Sequence, residues 1–301
     1  MTELELYLEP RIEALKKIPN IPNEPEMSDF DSSFLCGLIK KCLPKKIVEV
    51  GVAAGGTTAI ILQCLALLKH NENCEVYSVD LCEMFYRGNG EKTGFLAEEL
   101  KKNLVGTSFK HNFLLGKYLP EFIKDIGKDI DFLILDTVHA LPGEILDFLA
   151  ILPYLAPNAC VILHDIANNH YGRFSDAFAT QVLFDCVTAK KCLVLEHDDK
   201  IKYPNIGAFF VNDNTKKNII DVFNALSITW SYCIEKDIFF IYRQWYDKHY
   251  DNELLKIFDL LYDLQINTIS KKSVPQKKTF TMKMIDVINR LRSRIGMLLL
   301  I

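Results

Sequence analysis

The chain has 301 residues, 49% of them hydrophobic, and a formal net charge of −4 at pH 7. This length and apolar content allow one large buried core with helical additions, so we expect one main domain rather than two. The negative net charge disfavours a nucleic-acid partner, because phosphate binding draws its affinity from clustered cations.

Cysteine use and the start of the chain bear on the cellular compartment. Nine cysteines stand at irregular spacings without a C-x-x-C pair, which favours free thiols over a disulfide framework or a zinc site. The opening residues lack the basic and then apolar pattern of a signal peptide, and no apolar run reaches membrane-spanning length. These features predict a cytoplasmic protein.

Residues 1–44 are predicted to be an N-terminal helical segment. Two stretches, residues 3–17 and about 28–42, have the apolar spacing of amphipathic helices. We expect them either to cover the ligand side of the main domain or to contribute to a homo-oligomer.

Residues 47–56 read Ile-Val-Glu-Val-Gly-Val-Ala-Ala-Gly-Gly, a buried-strand pattern that breaks into a turn of small residues before an apolar helical stretch. A dinucleotide fold has G-x-G-x-x-G here, and its second glycine lets the backbone approach a pyrophosphate. Ala53 fills that place. Gly51 and Gly55 suit a tight turn and close strand–helix packing. Glu49 offers a carboxylate at the strand end, which repels phosphate but can hold the ammonium group of an amino acid.

The next predicted strand, residues 75–80, also ends on a carboxylate. Asp80 can take ribose hydroxyls, and the alternative is that it caps a turn. Residues 111–120 then read as a third strand followed by a loop that contains Gly116, which could be a turn glycine and no more.

The most informative chemistry lies between residues 131 and 165. A nearly continuous apolar run ends on Asp136, and His139 follows three residues later. A helix is predicted over about 142–154, a turn over 156–158, and a second buried strand that ends in His164 and Asp165. Two neighbouring parallel strands would thus bring these four side chains to one edge of the sheet, where open α/β sheets bind ligands.

These patterns resemble those of a known enzyme family. The E-x-G-x-x-x-G arrangement from Glu49 resembles motif I of the class I S-adenosylmethionine (AdoMet) methyltransferases. The D-x-x-H at Asp136, followed by His164-Asp165, resembles the branch that includes macrolide-sugar O-methyltransferases and cephalosporin-hydroxylase-like proteins. The resemblance extends from about residue 46 to 165 and continues weakly through 203–209. It implies a Rossmann-like, seven-stranded, mostly parallel sheet flanked by helices, with the methyltransferase core over residues 45–213.

The resemblance also implies roles for individual residues. AdoMet would contact a set of residues on the first four strand ends: Glu49, Gly51, Ala53, Gly55, Asp80, Gly116 and Asp136. Asp136 and Asp165 would hold Mg²⁺ or another divalent cation, with Asn168 as a third ligand by analogy with catechol-type O-methyltransferases. His139 would be the base, and the unperturbed histidine pKa of about 6.5 suits that role. Several relatives have an acidic residue where this chain has His164, which weakens the case for Mg²⁺ or favours a softer cation. His164 itself would contact substrate or metal, or only cap its strand.

Two loops next to these strand ends offer further contacts. Tyr86 and Arg87 lie in a polar, glycine-bearing loop over residues 81–93, which would close over the cofactor, touch the acceptor or remain a solvated connection. Tyr171 and Arg173 follow the Asp165 strand end and are candidate substrate contacts.

Residues 214–270 are predicted to be a C-terminal helical region. Its aromatic segment, residues 230–262, could stack nucleobases, but interspersed acidic residues favour core packing instead. Residues 271–301 contain eight Lys or Arg against one acid, so this tail carries +7 and the rest of the chain, by subtraction from −4, carries −11. The tail is predicted to be a linker followed by a basic amphipathic helix. Such a helix could lie on an anionic membrane, dock an acidic protein, or pack on its own domain or a dimer mate.

The sequence as a whole predicts an AdoMet-dependent O-methyltransferase that acts on a hydroxyl of a sugar or glycan precursor, with divalent-metal assistance as an open question. The substrate class rests on the resemblance alone. Two alternatives remain: a cephalosporin-hydroxylase-like enzyme on the same fold, and a non-catalytic AdoMet-binding accessory protein.

Overall fold

A computed structural model of the protein describes residues 6–18, 27–88, 90–170, 175–193 and 205–273. Seven strands form one sheet: β1 Lys46–Val50, β2 Glu75–Asp80, β3 Lys110–Leu115, β4 Ile130–Leu135, β5 Leu155–His164, β6 Lys190–Leu193 and β7 Ile206–Phe210. Helices connect and flank them: α1 Glu9–Lys17, α2 Asp29–Cys42, α3 Gly56–Leu67, α4 Phe95–Asn103, α5 Leu119–Ile126, α6 Gly143–Ile151 and α7 Ala179–Cys186. The C-terminal helices are α8 Asp213–Lys217, α9 Ile219–Ala225, α10 Lys236–Tyr246 and α11 Asn252–Ser273.

The strands lie in the order β3-β2-β1-β4-β5-β7-β6. The first five pair in parallel, whereas β7 runs antiparallel to both β5 and β6. The predicted seven-stranded, mostly parallel sheet flanked by helices is therefore confirmed. Because the chain reverses its direction of travel across the sheet between β1 and β4, the crevice at their carboxyl ends is the expected ligand site.

Apolar side chains cover both faces of the sheet, which explains the continuous hydrophobic runs of the central strands. One face packs against α3, α4 and the N-terminal helices, and the other packs against α5, α6, α7 and the C-terminal helices. Helix α2 begins after the N-cap Ser28, whose hydroxyl accepts the amide of Asp31. This cap fixes the first turn of α2 close to the carboxyl end of β5.

Three aromatic residues of α10 pack on α6, which agrees with the core packing predicted for this segment. Tyr242, Trp245 and Tyr246 are buried. The indole of Trp245 donates to the carbonyl of Ala150 at 2.8 Å, and the hydroxyl of Tyr246 donates to that of Leu146 at 2.7 Å. The C-terminal helical region is thus continuous with one of the two hydrophobic cores.

Three features of the secondary structure differ from the sequence prediction: the start of β5, the presence of β6 and the end of α11. Strand β5 begins at Leu155 and includes the predicted turn at 156–158, because its first residue pairs with Ile130 before the register shifts. Strand β6 was not predicted, since its four residues carry two lysines. Helix α11 runs through Ser273 and so includes the first three residues of the predicted basic linker; the remainder of that tail, residues 274–301, lies outside the described residues. Among the described helices, none is long and apolar enough to cross a membrane.

Candidate active site

The turn after β1 requires glycines because the backbone of two other segments passes very close to it. Gly51 has a φ of +94°, and a Cβ at this position would lie 1.8 Å from the carbonyl oxygen of Asp136. Gly55 likewise has a φ of +87°, and its Cβ would lie 2.7 Å from the Cα of Gly94, at the start of α4. Both glycines are thus required by the packing of the protein on itself, and any contact with a cofactor is additional.

Glu49 lies one residue before the end of β1, and its side chain is fully buried instead of projecting from the strand end. Strand alternation turns it toward α3, where Oε2 accepts the hydroxyls of Thr58 at 2.5 Å and Ser78 at 2.8 Å. Burial raises the pKa of Glu49 to about 8, and the two hydroxyl groups offset only part of that effect. Its Oε1 is buried and has no hydrogen-bond partner among the described residues. One acceptor of this carboxyl group is therefore available to a ligand.

Asp80 ends β2 and holds the glycine-rich turn in place. Its Oδ2 accepts the amides of Val52 at 2.8 Å and Ala53 at 3.0 Å, and its Oδ1 accepts the amide of Cys82 at 2.8 Å. The backbone carbonyl of Asp80 accepts the amide of Gly116 at 3.0 Å. The turn-capping alternative is thus present in the structure. Oδ2 already accepts two amides, so only Oδ1, which accepts one, keeps a lone pair for a ribose hydroxyl.

Asp136, His139 and Asp165 converge at the carboxyl ends of β4 and β5. Each offers one ligand atom, and these three atoms lie within 4.8 Å of one another. The Nε2 of His139 lies 3.1 Å from Asp165 Oδ2 and 3.7 Å from Asp136 Oδ1, and about a fifth of its side chain is exposed. An imidazole nitrogen and two carboxylates therefore share one partly open site.

His164 contacts neither solvent nor an open site, because it is buried among three carboxylates. Its Nδ1 lies 3.2 Å from Asp136 Oδ1 and 3.7 Å from Asp165 Oδ1, and its Nε2 lies 3.7 Å from Asp31 Oδ2 of α2. Burial alone would lower the pKa of His164, but the carboxylates, Asp136 first, outweigh it and raise that pKa well above its usual value. In turn, burial would raise the pKa of Asp136, but the positive charge of His164 outweighs it and lowers that pKa. We conclude that His164 is an internal cation of the site.

Glu144, at the start of α6, lies behind His139. Its Oε1 accepts the amide of His139 at 2.5 Å and the hydroxyl of Thr137 at 2.9 Å. The His139 ring nitrogen Nδ1 lies 3.6 Å from the same oxygen. Glu144 is fully buried, and that burial raises its pKa.

The asparagine that contacts Asp165 is Asn205, just before β7. Its Nδ2 donates to Asp165 Oδ1 at 2.5 Å, and its Oδ1 accepts the amide of Ala167 at 3.2 Å. Asn168, the predicted third ligand, begins a short 3₁₀ turn and donates its backbone amide to the carbonyl of Asp165 at 3.3 Å. Its side chain as a ligand stays a prediction.

Of the loop residues predicted as contacts, Tyr86 and Arg87 are among the described residues and the other two are not. Tyr86 is exposed, and the Arg87 guanidinium lies over its ring, 4.7 Å from the centroid, in the loop that leads from β2 to α4. Tyr171 and Arg173 lie outside the described residues.

Three residues of the site could not be singled out from sequence: Asp31, Glu144 and Asn205. Glu144 lies in a segment without a motif, Asn205 lies where the family resemblance is weak, and each of the three acts by contacting a residue that does belong to a motif. The one available signal was the Ser28-x-x-Asp31 spacing of a helix cap, which explains the start of α2 but not the contact with His164.

The donors at this site fit the groups that the motifs imply. The unpartnered Oε1 of Glu49, two residues before the glycine turn, suits an ammonium donor. The two carboxylates suit a divalent cation, and the imidazole within 4.8 Å of them either joins as a ligand, which favours transition metals over Mg²⁺, or stays free to act as a base.

Comparison with known proteins agrees with this architecture. Residues 48–166 match the family model described as a methyltransferase domain. A search of curated proteins found no match. The matched segment, about two fifths of the chain, runs from β1 through Asp165, and the match supports the expectation of a class I methyltransferase.

Solved structures similar to the chain are O-methyltransferases and related enzymes. A methyltransferase from Podospora anserina, solved with S-adenosylhomocysteine, is 13% identical, with a TM-score of 0.46 over 69% of this chain and 88% of that one. The TDP-rhamnose 3′-O-methyltransferase of calicheamicin biosynthesis is 14% identical, with a TM-score of 0.46 over 68% of this chain and 94% of that one. The tomaymycin-synthesis O-methyltransferase from Streptomyces achromogenes, solved with AdoMet, is 15% identical, with a TM-score of 0.45 over 68% and 90%.

Proposed function

We propose that the protein transfers the methyl group of AdoMet to a hydroxyl of a sugar or glycan precursor. The acceptor oxygen attacks the methyl carbon in line with the departing sulfur, so that a C–O bond forms as the S–CH₃ bond breaks. The proton of the hydroxyl passes to His139. The products are a methyl ether and S-adenosylhomocysteine.

The observation that carries this proposal is the position of His139 Nε2. It lies 3.1 Å from Asp165 Oδ2 and 3.7 Å from Asp136 Oδ1, at the sheet edge beside the glycine turn. A base in this place can reach a hydroxyl oriented by the two carboxylates, and an imidazole is a competent acceptor near neutral pH. The fixed ring would raise the rate chiefly by orientation and by removal of the proton in the transition state.

The cofactor is proposed to lie across the carboxyl ends of β1, β2 and β4. Glu49 would accept the ammonium group through its unpartnered Oε1, and Asp80 would accept a ribose hydroxyl through the remaining lone pair of Oδ1. Ala53, Gly116 and Asp136 would line the same crevice. A divalent cation held by Asp136 and Asp165 would supply Lewis-acid polarisation of the acceptor hydroxyl.

The proposal is tested with isotope-labelled AdoMet. The purified protein is incubated with pools of sugar nucleotides and glycan precursors, and the mixture is searched by mass spectrometry for products heavier by one labelled methyl group. Label in a sugar hydroxyl supports the proposal, and label in a phenolic or a nitrogen acceptor replaces the substrate class. If the folded protein binds AdoMet but transfers label to none of the pools, with or without added Mn²⁺, the result would favour the accessory-protein alternative.

A further inference from the structure

His139 and Asp165 share an unusual backbone conformation. Their φ angles are +58° and +59°, in the left-handed region that side chains other than glycine rarely adopt. The conformation is unfavourable at each residue and persists only where the surroundings hold it. The two residues follow the ends of the neighbouring strands β4 and β5, and their side chains lie 3.1 Å apart. Two strained residues so close together indicate that contacts with the surrounding structure hold both backbones.

The start of α7 contacts both residues. The amide of Ala179 donates to the carbonyl of His139 at 2.9 Å, and the hydroxyl of Thr180 donates to the carbonyl of Asp165 at 2.9 Å. Ala179 and Thr180 are fully buried. Two consecutive residues of one helix thus bind the backbone of the two functional residues on neighbouring strand ends.

Glu144 completes the arrangement from the opposite side. It accepts the amide of His139 at 2.5 Å, so the peptide groups on both sides of that residue are held, one by α6 and one by α7. The two contacts from α7 are made to backbone carbonyls and leave the imidazole and the carboxylate oxygens untouched, whereas Glu144 Oε1 also lies 3.6 Å from His139 Nδ1. Their effect is therefore on where those groups point.

We propose that Thr180 is a positioning residue: with Ala179 and Glu144, it clamps the left-handed backbone of Asp165 and His139 and so sets the distance between the two reactive side chains. The proposal rests on the proposed function where it concerns turnover. The clamp itself is a statement about geometry, which can be measured without an acceptor.

Thr180→Val removes the hydroxyl with little change of shape, and Thr180→Ser keeps it. We expect T180V to lower kcat by up to about 100-fold, the loss that a displacement of about 1 Å can bring, with little change in AdoMet affinity. T180S should restore most of the rate. The control is Thr215→Val in α8, which removes another buried threonine hydroxyl, one that donates to the carbonyl of Thr188 at 2.8 Å and accepts the amide of Asn212 at 3.1 Å. T215V should leave kcat unchanged even though its loss of stability is at least as large as that of T180V.

The measurement that needs no acceptor is NMR of the protein labelled at its seven histidines. The His139 ring signal is assigned by its loss in H139A. It should move or broaden in T180V and not in T215V or T180S, because only T180V releases Asp165 from the clamp.

Should T180V not fold, Glu144→Leu and Glu144→Gln probe the clamp from the side of α6. The glutamine keeps an acceptor oxygen for the His139 amide, and the leucine does not, so E144L should move the His139 signal beyond the shift that E144Q causes by altering the group 3.6 Å from Nδ1. Unchanged His139 signals in both T180V and E144L overturn the clamp, whatever the acceptor. Altered signals in a protein that methylates nothing would leave the clamp in place and remove the proposed function instead.

Discussion

His164 Nδ1 lies 3.2 Å from Asp136 Oδ1, and the positive charge it carries faces a pair of carboxylates that would otherwise repel each other. Two like charges in one cleft are costly unless a cation or a proton lies between them. His164 supplies one fixed positive charge from its buried position between α2 and the sheet. A divalent cation, if bound, would supply the rest from the open side.

This arrangement makes the metal requirement a direct test of charge balance. Asp136→Asn and Asp165→Asn should each raise the Mn²⁺ concentration that supports half-maximal methylation, since each removes a hard ligand. Excess chelator should stop the reaction, and Mn²⁺ should restore it. Full activity in excess chelator would mean that the charge of His164 is sufficient and that no metal takes part.

His139→Ala should lower turnover by roughly 100- to 10,000-fold, the span of general acid–base catalysis. The reason is that His164, which also lies beside Asp136 and Asp165, is buried and cannot take its place. AdoMet affinity, measured by calorimetry, should stay nearly constant, because the role proposed for the ring is toward the proton of the acceptor and not toward the cofactor. An unaltered rate would reduce His139 to a structural residue.

AdoMet binding should release a proton at pH 7. Glu49 has a pKa of about 8 and is therefore mostly protonated, whereas an ammonium group beside its Oε1 would favour the carboxylate. Calorimetry in buffers of different ionisation enthalpy measures the released proton directly. Glu49→Gln should abolish the release and weaken binding by roughly 10- to 100-fold, equivalent to the 1.5–3 kcal/mol of a charged hydrogen bond. Proton release that persists in E49Q would show that Glu49 does not receive the ammonium.

Glu49 should also make folding stability fall as the pH rises. Its folded pKa, about 8, lies above that of an unfolded glutamate, about 4.5, so the folded state binds the proton more tightly. The stabilising contribution is complete below pH ~4.5 and is lost progressively as the pH rises through about 8. Urea unfolding of the ligand-free protein across this window should show a shallower decline in E49Q than in the wild type. Equal slopes in the two proteins would contradict the raised pKa.

Gly51→Ala should destabilise the fold well beyond the cost of its φ angle. The matched control is Gly106→Ala, because Gly106 has a similar φ of +83° but no heavy atom within 4 Å of the added Cβ. Left-handed backbone alone costs about 1–2 kcal/mol, and crowding against the Asp136 carbonyl should add ~1–3 kcal/mol in G51A. Chemical denaturation of both variants gives the difference. Equal losses would mean that the β1 turn can move away from β4.

The sequence predicts those parts of the site that coincide with strand ends. Asp80, Asp136 and Asp165 follow apolar runs, and parallel strands deliver their last residues to one edge, so convergence follows from topology. His139 could be placed for the same reason, by its spacing from Asp136. The residue type of each of these four side chains predicts its chemistry. The distances between them and the groups they contact depend on the fold and cannot be predicted from the sequence.

Other features depended on contacts that no local pattern encodes. The choice for His164 was between a ligand contact and a strand cap, and neither describes a residue buried between α2 and the sheet. Gly51 suits a tight turn, as its sequence context predicts, but the neighbour that excludes a side chain there is the carbonyl of Asp136, which no local pattern indicates. In both cases the deciding neighbour is far away in the sequence, and burial decides the role.

The contacts between α6 and α10 have a practical consequence for the size of the functional unit. Tyr246 and Trp245 donate to carbonyls in α6, and the hydroxyl of Tyr242 donates to Asp147 on the same helix at 2.6 Å. A version of the protein truncated at residue 213 would lose these donors and expose an apolar face beside Glu144, inviting aggregation. Shortening the N-terminus past Asp31 would remove a carboxylate from His164. The smallest version of the protein that keeps this site intact is therefore much longer than the segment, residues 48–166, that matches the methyltransferase model.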